Sequence, residues 1–146
     1  MSPRRSKHHP VSPADARAYL SKAIAWLEAG KENLEAARWD VAAGAAVTAG
    51  INACDAIAGA LVGQRAGGDH LEAVKLLAGA GEDGLYASHQ LAQLLCFKTP
   101  AQYDPNPLPK ADALKAVDLA GRLVDRATRV VSPQASSGSD IPRKRK

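Results

Sequence analysis

Five polar residues carry most of the chemistry this sequence has to offer: Asp55, Arg65, His70, Lys98 and Tyr103. An imidazole whose ordinary pKa lies near neutrality can take up or release a proton at physiological pH. A guanidinium offers paired N–H donors that match a phosphate and stabilise charge developing on it. His70 and Arg65 together therefore read as a site for RNA or a nucleotide, with Asp55, Lys98 and Tyr103 as the polar cluster around them. A structural alternative stands beside that reading. A buried carboxylate needs a partner, so Asp55 could accept hydrogen bonds from Arg65 or Tyr103 and fasten a long loop to the body. His70 would then simply occupy the first turn of its helix.

Other groupings offer less. The adjacent pair His8-His9 sits in a polar tail and cannot enclose an ion, so no metal site is expected. Cys54 and Cys96 stand far apart in apolar runs, outside any metal-ligand or CxxC spacing, and read as reduced core thiols. Gly63, Gly67 and Gly68 make no phosphate-binding loop, because no strand precedes them and no Gly-Lys-Ser/Thr follows. No Ser-His-Asp or Cys-His grouping can be argued, and no cofactor is implied. Trp26 and Trp39 read as core or dimer-contact residues, and His89 as a surface or half-buried one.

The elements that must position the five residues read as helices. Ser12-Pro13-Ala14-Asp15 combines a capping Ser, a Pro at the first helical position and an acid at the third. A first helix over about 13–37 follows, with Leu20, Ile24, Leu27 and Leu34 on one face and Trp26 beside them. Trp39-Asp40 marks a turn. The second helix runs to about Gly63 on a seam of Val47, Ile51, Cys54, Ala58 and Leu61. Glycines inside a helix cost about 1 kcal/mol each relative to Ala, so Gly44, Gly50 and Gly59 imply close packing on several sides. This should be the central, most buried helix. Asp69 caps a third helix that turns Leu71, Val74 and Leu77 or Ala78 inward. The run from Gly79 to Gly84 breaks the chain, and a fourth helix covers about 85–97 with Leu91, Leu94, Leu95 and Phe97. Thr99–Pro109 reads as an extended, proline-rich loop bridging the bundle. The last helix, about 110–131, carries Leu114, Val117, Gly121, Val124, Thr128 and Val131, and Pro133 stops it. No strand is expected. Short connections favour antiparallel neighbours, so the fold class is all-α: an up-and-down antiparallel bundle of four to five helices, able to bring all five polar residues to one end.

At 146 residues the chain fits one domain, residues 13–132, between disordered tails at 1–12 and 133–146. The tails hold the excess charge. Residues 1–12 carry Arg4, Arg5 and Lys7, hence +3; residues 133–146 carry Arg143, Lys144, Arg145 and Lys146 against Asp140, again +3. The whole chain is +4, which leaves −2 for the body. Attraction to RNA or DNA should therefore come from the tails and fade with salt. No stretch reads as a membrane span and no apolar segment follows the basic N-terminus, so a cytoplasmic location is expected.

Three blocks, in this order, resemble the HEPN superfamily of helical bundles. The first is the Ala-rich second helix with Asn52, Ala53, Cys54, Asp55 and Ala56. The second is Gly63–Leu77, reading GQRAGGDHLEAVKLL, and the third is Lys98–Tyr103, reading KTPAQY, followed by Asp112-Ala113 and a long amphipathic helix. The resemblance spans about residues 14–131. It implies a compact bundle, frequently dimeric, in toxin–antitoxin, abortive-infection or nucleotidyltransferase-linked systems, with a nucleotidyltransferase or an antitoxin as the partner. Some members are metal-independent endoribonucleases with an Arg followed a few residues later by a His, a pattern Arg65 and His70 match. His70 would then move the proton and Arg65 would hold the phosphate. Ala66 stands where those ribonucleases usually carry a polar residue, and their motif lies near a later helix. The closer likeness is to the non-ribonuclease branch, in which a His opens the helix after this loop. The expectation is a non-catalytic, self-associating module, with a ribonuclease toxin or a purely structural subunit as the alternatives.

Overall fold

The computed structural model describes residues 8–137, with side chains described as far as Val131. The expected disorder of 1–7 and 138–146, and the nucleic-acid contacts assigned to Arg4, Arg5, Lys7, Arg143, Lys144, Arg145 and Lys146, lie outside the described residues. The described residues are 79% helical and form six helices, an all-α bundle as expected. In order these are α1 (Pro13–Glu35), α2 (Trp39–Val62), α3 (His70–Ala78), α4 (Gly81–Leu95), α5 (Lys98–Gln102) and α6 (Lys110–Ser137).

The capping box forms: the Ser12 hydroxyl accepts from the Asp15 N–H at 3.0 Å, and the Asp15 carboxylate accepts from the Ser12 N–H at 3.2 Å. Ala37, at a positive φ of 61°, turns the chain sharply between α1 and α2. The α2 helix is the central rod: 13 of its 24 residues are buried, nearly all of them Ala or Gly. Such small side chains let neighbouring backbones approach closely, which answers for Gly50 and Gly59; Gly44, expected to be closely packed, is not, since a Cβ there would meet nothing within 4 Å. Gly30 packs on the α2 backbone at Ala42 and Ala46, Gly50 against Leu94 and Leu123, and Gly59 against Val11 and Ala16. These contacts set the directions. α1 is antiparallel to α2, and α4 is antiparallel to α6, as the Arg126–Asp83 ion pair at 2.6 Å also requires. α2 and α6 run parallel, starting together where the Leu108 N–H donates to Asp40 Oδ1 at 3.0 Å.

Several local expectations are corrected. Trp39 and Asp40 open α2 instead of forming a turn, because residues 36–38 suffice to reverse the chain. Gly81–Gly84 form the first turn of α4, where Glu82 and Asp83 complement the helix dipole and a Gly is tolerated. Part of the proline-rich loop closes into α5. The backbone of α6 continues through Pro133 to Ser137, since a proline removes one helical hydrogen bond without forbidding the next turn. The inward faces are also rotated. Ala16, Ala23, Leu27 and Gly30 are the buried residues of α1, while Ile24 and Trp26 are well exposed. Leu71 is 61% and Leu114 45% exposed, whereas Leu77, Val117, Val124 and Val131 are buried as expected, joined on α6 by the row Ala113, Ala116, Ala120, Leu123 and Ala127. Small Ala faces close tightly and leave larger neighbours at the margin.

Two further differences concern the ends of the site. His8–Pro10 forms a strand, β1, paired antiparallel with β2 (Gln64–Ala66), so that the last part of the N-terminal segment is docked on the bundle. Val11, 6% exposed, anchors it in the notch at Gly59, and its N–H donates to the Gly63 carbonyl at 2.8 Å. Trp39–Val62, moreover, has the length and apolarity of a membrane span, with a mean hydropathy of 1.5 over its most apolar window; 61% of that window is buried inside the fold.

Candidate functional site

The pocket at the C-terminal end of α2 is built by the sequence Gly63–His70 as it turns from α2 into α3. Gly63 ends α2 in the left-handed conformation, φ 68°, which a residue with a Cβ adopts only under strain. The chain then runs through β2, held in register by His9 opposite Arg65 and His8 opposite Ala66. Asp69 caps α3 by accepting from the Glu72 N–H at 3.0 Å, which sets His70 in the first turn.

Asp55, Arg65 and His70 line one pocket of about 120 Å³, with Cys54, Gly67, Gly68 and Asp69 around them. Lys98 acts on it from α5: its charge reaches His70. Tyr103 stands apart, 69% exposed, its ring under the Lys98 ammonium at 5.6 Å. Sequence patterns therefore bring three of the five residues into one pocket and a fourth within electrostatic range, while Tyr103 only backs the fourth. Asp55 accepts no hydrogen bond from Arg65 or Tyr103 among the described residues. Arg65 instead donates to the Ala66 carbonyl at 3.2 Å and lies over the Tyr19 ring at 5.8 Å. Tyr19 was not singled out by its sequence context; the signal was its place on α1, three residues from Ala16 and four from Ala23, on the packed side. The His8-His9 doublet gives no sign of it in the sequence, but the His9 ring packs on Gly67.

The electrostatics of the pocket follow from burial. Loss of water pushes the Asp55 carboxyl up to about 6, against the opposing pull of the Arg65 guanidinium. His70 is shifted the other way: burial lowers its pKa, the Lys98 ammonium lowers it further, and Asp69 works against both. The imidazole is thereby held neutral at neutral pH. Burial, and then the Asp55 charge, push the Cys54 thiol far up, so it is no thiolate nucleophile. Cys96 is exposed, which corrects its reading as a core residue: it lies on the outer side of the α4 terminus. Among the described residues no three His, Cys, Asp or Glu side chains converge as a metal site requires.

A cavity of this size falls below the roughly 300 Å³ at which pockets for whole small molecules begin. It has room for a single group such as a phosphate, with the rest of a ligand left outside. No family model and no curated protein matches the chain. The pocket has a defined chemistry of its own. That chemistry is an anion-matching guanidinium, a neutral imidazole and a carboxyl that titrates near neutrality, side by side.

Proposed function

We propose that the protein is a HEPN-like helical module that binds a phosphate group of RNA or of a nucleotide without cleaving it, in a cytoplasmic defence or toxin–antitoxin type system. The observation that carries this reading is the lining of one phosphate-sized pocket by both Arg65 and His70. The proximity of Lys98 and the neutral state of His70 support anion binding. Asp55 speaks against a strong site when ionised, because it sets a negative charge beside the ligand. The test is titration of a nucleoside monophosphate and of an oligoribonucleotide against the wild type and Arg65→Ala. Loss of a hydrogen-bonded charge pair to phosphate is worth about 1.5–3 kcal/mol, so Arg65→Ala should weaken binding about ten- to a hundredfold. Equal affinity of the two proteins would remove the reading.

A metal-independent endoribonuclease is the second reading, favoured by one observation: an imidazole kept neutral beside a guanidinium can take a proton from a 2′-hydroxyl. Host growth separates it from the first. Expression of the wild type should arrest growth while His70→Ala and Arg65→Ala do not; equal growth in all three cultures leaves binding alone.

Self-association is the remaining part of the proposal. An apolar groove beside exposed Trp26 and Val41 is floored by Ala29, Gly44, Ala45 and Thr48, and a second copy is the occupant proposed for it. Sedimentation of Trp26→Glu against the wild type tests it, a dimer in the wild type and a monomer in the variant being the expected result. An antitoxin or nucleotidyltransferase partner is proposed from the resemblance alone.

A further inference from the structure

We propose that the pocket takes up its phosphate together with a proton carried on Asp55, so that the site fills as the surroundings acidify. This rests on the reading of the pocket as a phosphate site and adds the condition under which that site works.

The shape of the pocket makes the demand. Asp55, Arg65 and His70 wall one space of about 120 Å³, so a phosphate seated on the guanidinium lies beside the Asp55 carboxyl. Two like charges a few ångströms apart, shielded from water, cannot both stay ionised without a large penalty. One proton removes the conflict, because a protonated carboxyl becomes a donor and a phosphate oxygen accepts from it. Arg65 does not hold the carboxylate by a hydrogen bond: its Nη1 donates to the Ala66 carbonyl. Asp55 therefore has no bond to Arg65 to break when a ligand arrives.

The groups around Asp55 decide where the proton goes. Its own helix brings Cys54, β2 brings Arg65, and the start of α3 brings Asp69 and His70. Lys98 of α5 reaches His70, Tyr19 of α1 lies against Arg65, and the His9 ring of β1 lies on Gly67. The rest of α3 and α4 give the wall only apolar groups, Ala73 and Leu91. Cys54 stays a thiol. Burial alone favours the proton on Asp55 and brings the carboxyl up to about 6, while the Arg65 charge opposes it. A phosphate on the guanidinium engages that charge and weakens its hold on the carboxylate. His70 is the poorer acceptor. Burial and the Lys98 ammonium both oppose a charge on the imidazole, with Asp69 alone in its favour. Left neutral, the imidazole keeps one N–H to donate to the ligand.

The probe is sulfate, a dianion of phosphate's shape that does not itself titrate between pH 6 and 8. Any proton taken up on binding then belongs to the protein. Titration calorimetry of the full chain in buffers of different ionisation enthalpy counts those protons. If the anion raises the proton affinity of the carboxyl about tenfold, the wild type takes up about half a proton per sulfate at pH 6.5 and binds about fivefold tighter at pH 6 than at pH 8. Asp55→Asn should take up none and hold one affinity across that range. The wild-type count needs no variant, so it decides the matter even if a substitution disturbs folding. Arg65→Ala locates the anion and should weaken sulfate binding at every pH. If it does so while the wild type takes up no proton, the proposal falls and the pocket reading stands. If Arg65→Ala binds sulfate as the wild type does, the anion lies elsewhere and both fall. Uptake that survives in Asp55→Asn and disappears in His70→Gln would put the proton on the imidazole and overturn the proposal.

Discussion

Asp55 is the residue at which the two readings of the polar cluster part company. Its folded pKa, about 6, stands above the ordinary 3.8, with burial as the leading cause. Below pH 3.8 the carboxyl is protonated in both states and contributes nothing. Between there and about pH 6 the native state keeps a proton that the unfolded chain has released, so stability falls as pH rises. Above about pH 6 the penalty is complete, on the order of 2 kcal/mol once partial exposure is allowed for. Asp55→Asn should therefore raise the melting temperature at pH 8 by about 5 °C and leave it nearly unchanged at pH 3.5. A carboxylate that fastened the loop would give the opposite sign at pH 8. Thermal melts across pH decide between them. The same substitution should tighten phosphate binding at pH 8 by several-fold, because it removes a negative charge from the ligand's side. Asp55, Arg65 and His70 were legible in the sequence because polar residue types stand out in an Ala-rich chain. Tyr19 and His9 were not, because a ring supporting a guanidinium or covering a glycine has no local pattern of its own.

The helices were legible where small residues and caps speak together. Ser12 and Asp15 close the box they promise, Asp69 caps α3, and the Ala-Gly density of α2 becomes the buried rod. Helix faces were harder to read. The wide apolar residues Ile24, Leu71 and Leu114 sit at the margins because tight Ala–Ala contacts occupy the centre. The strands could not be read at all, since three residues are too few to show a period of two and the β1–β2 pairing joins segments more than fifty residues apart. Within α2 one substitution should have two opposite outcomes. A Cβ at Gly44 meets nothing within 4 Å, so Gly44→Ala should stabilise by up to about 1 kcal/mol through helix propensity. A Cβ at Gly50 would drive into Leu94 and press on Leu123 at 3.3 Å, so Gly50→Ala should destabilise by about 1–3 kcal/mol despite the same gain. Urea denaturation of the pair checks both signs; two stabilised variants would mean that α2 is not the packed centre.

At the scale of the whole molecule, the two thiols report how the bundle opens. Cys54 is buried in the central rod, 2% exposed, and its raised pKa keeps it protonated. Cys96 is exposed at the end of α4, outside the α2–α6 contact. A thiol reagent needs both access and thiolate, so the native protein should modify one thiol promptly and the second only on opening of the core. Cys54 is 2% exposed at the inner edge of the pocket, with Ala73 of α3 and Leu91 of α4 beside it in the lining, so a reagent reaches it only when part of this packing opens. The expected opening is global unfolding, so its labelling rate should fall in parallel with added stability in Gly44→Ala and rise in Gly50→Ala. Cys96 should label at one rate in all three proteins. Prompt labelling of both thiols in the native state, with unchanged helix content by circular dichroism, would show that α4 opens as a separate unit and that the pocket wall it contributes through Leu91 is itself a moving part.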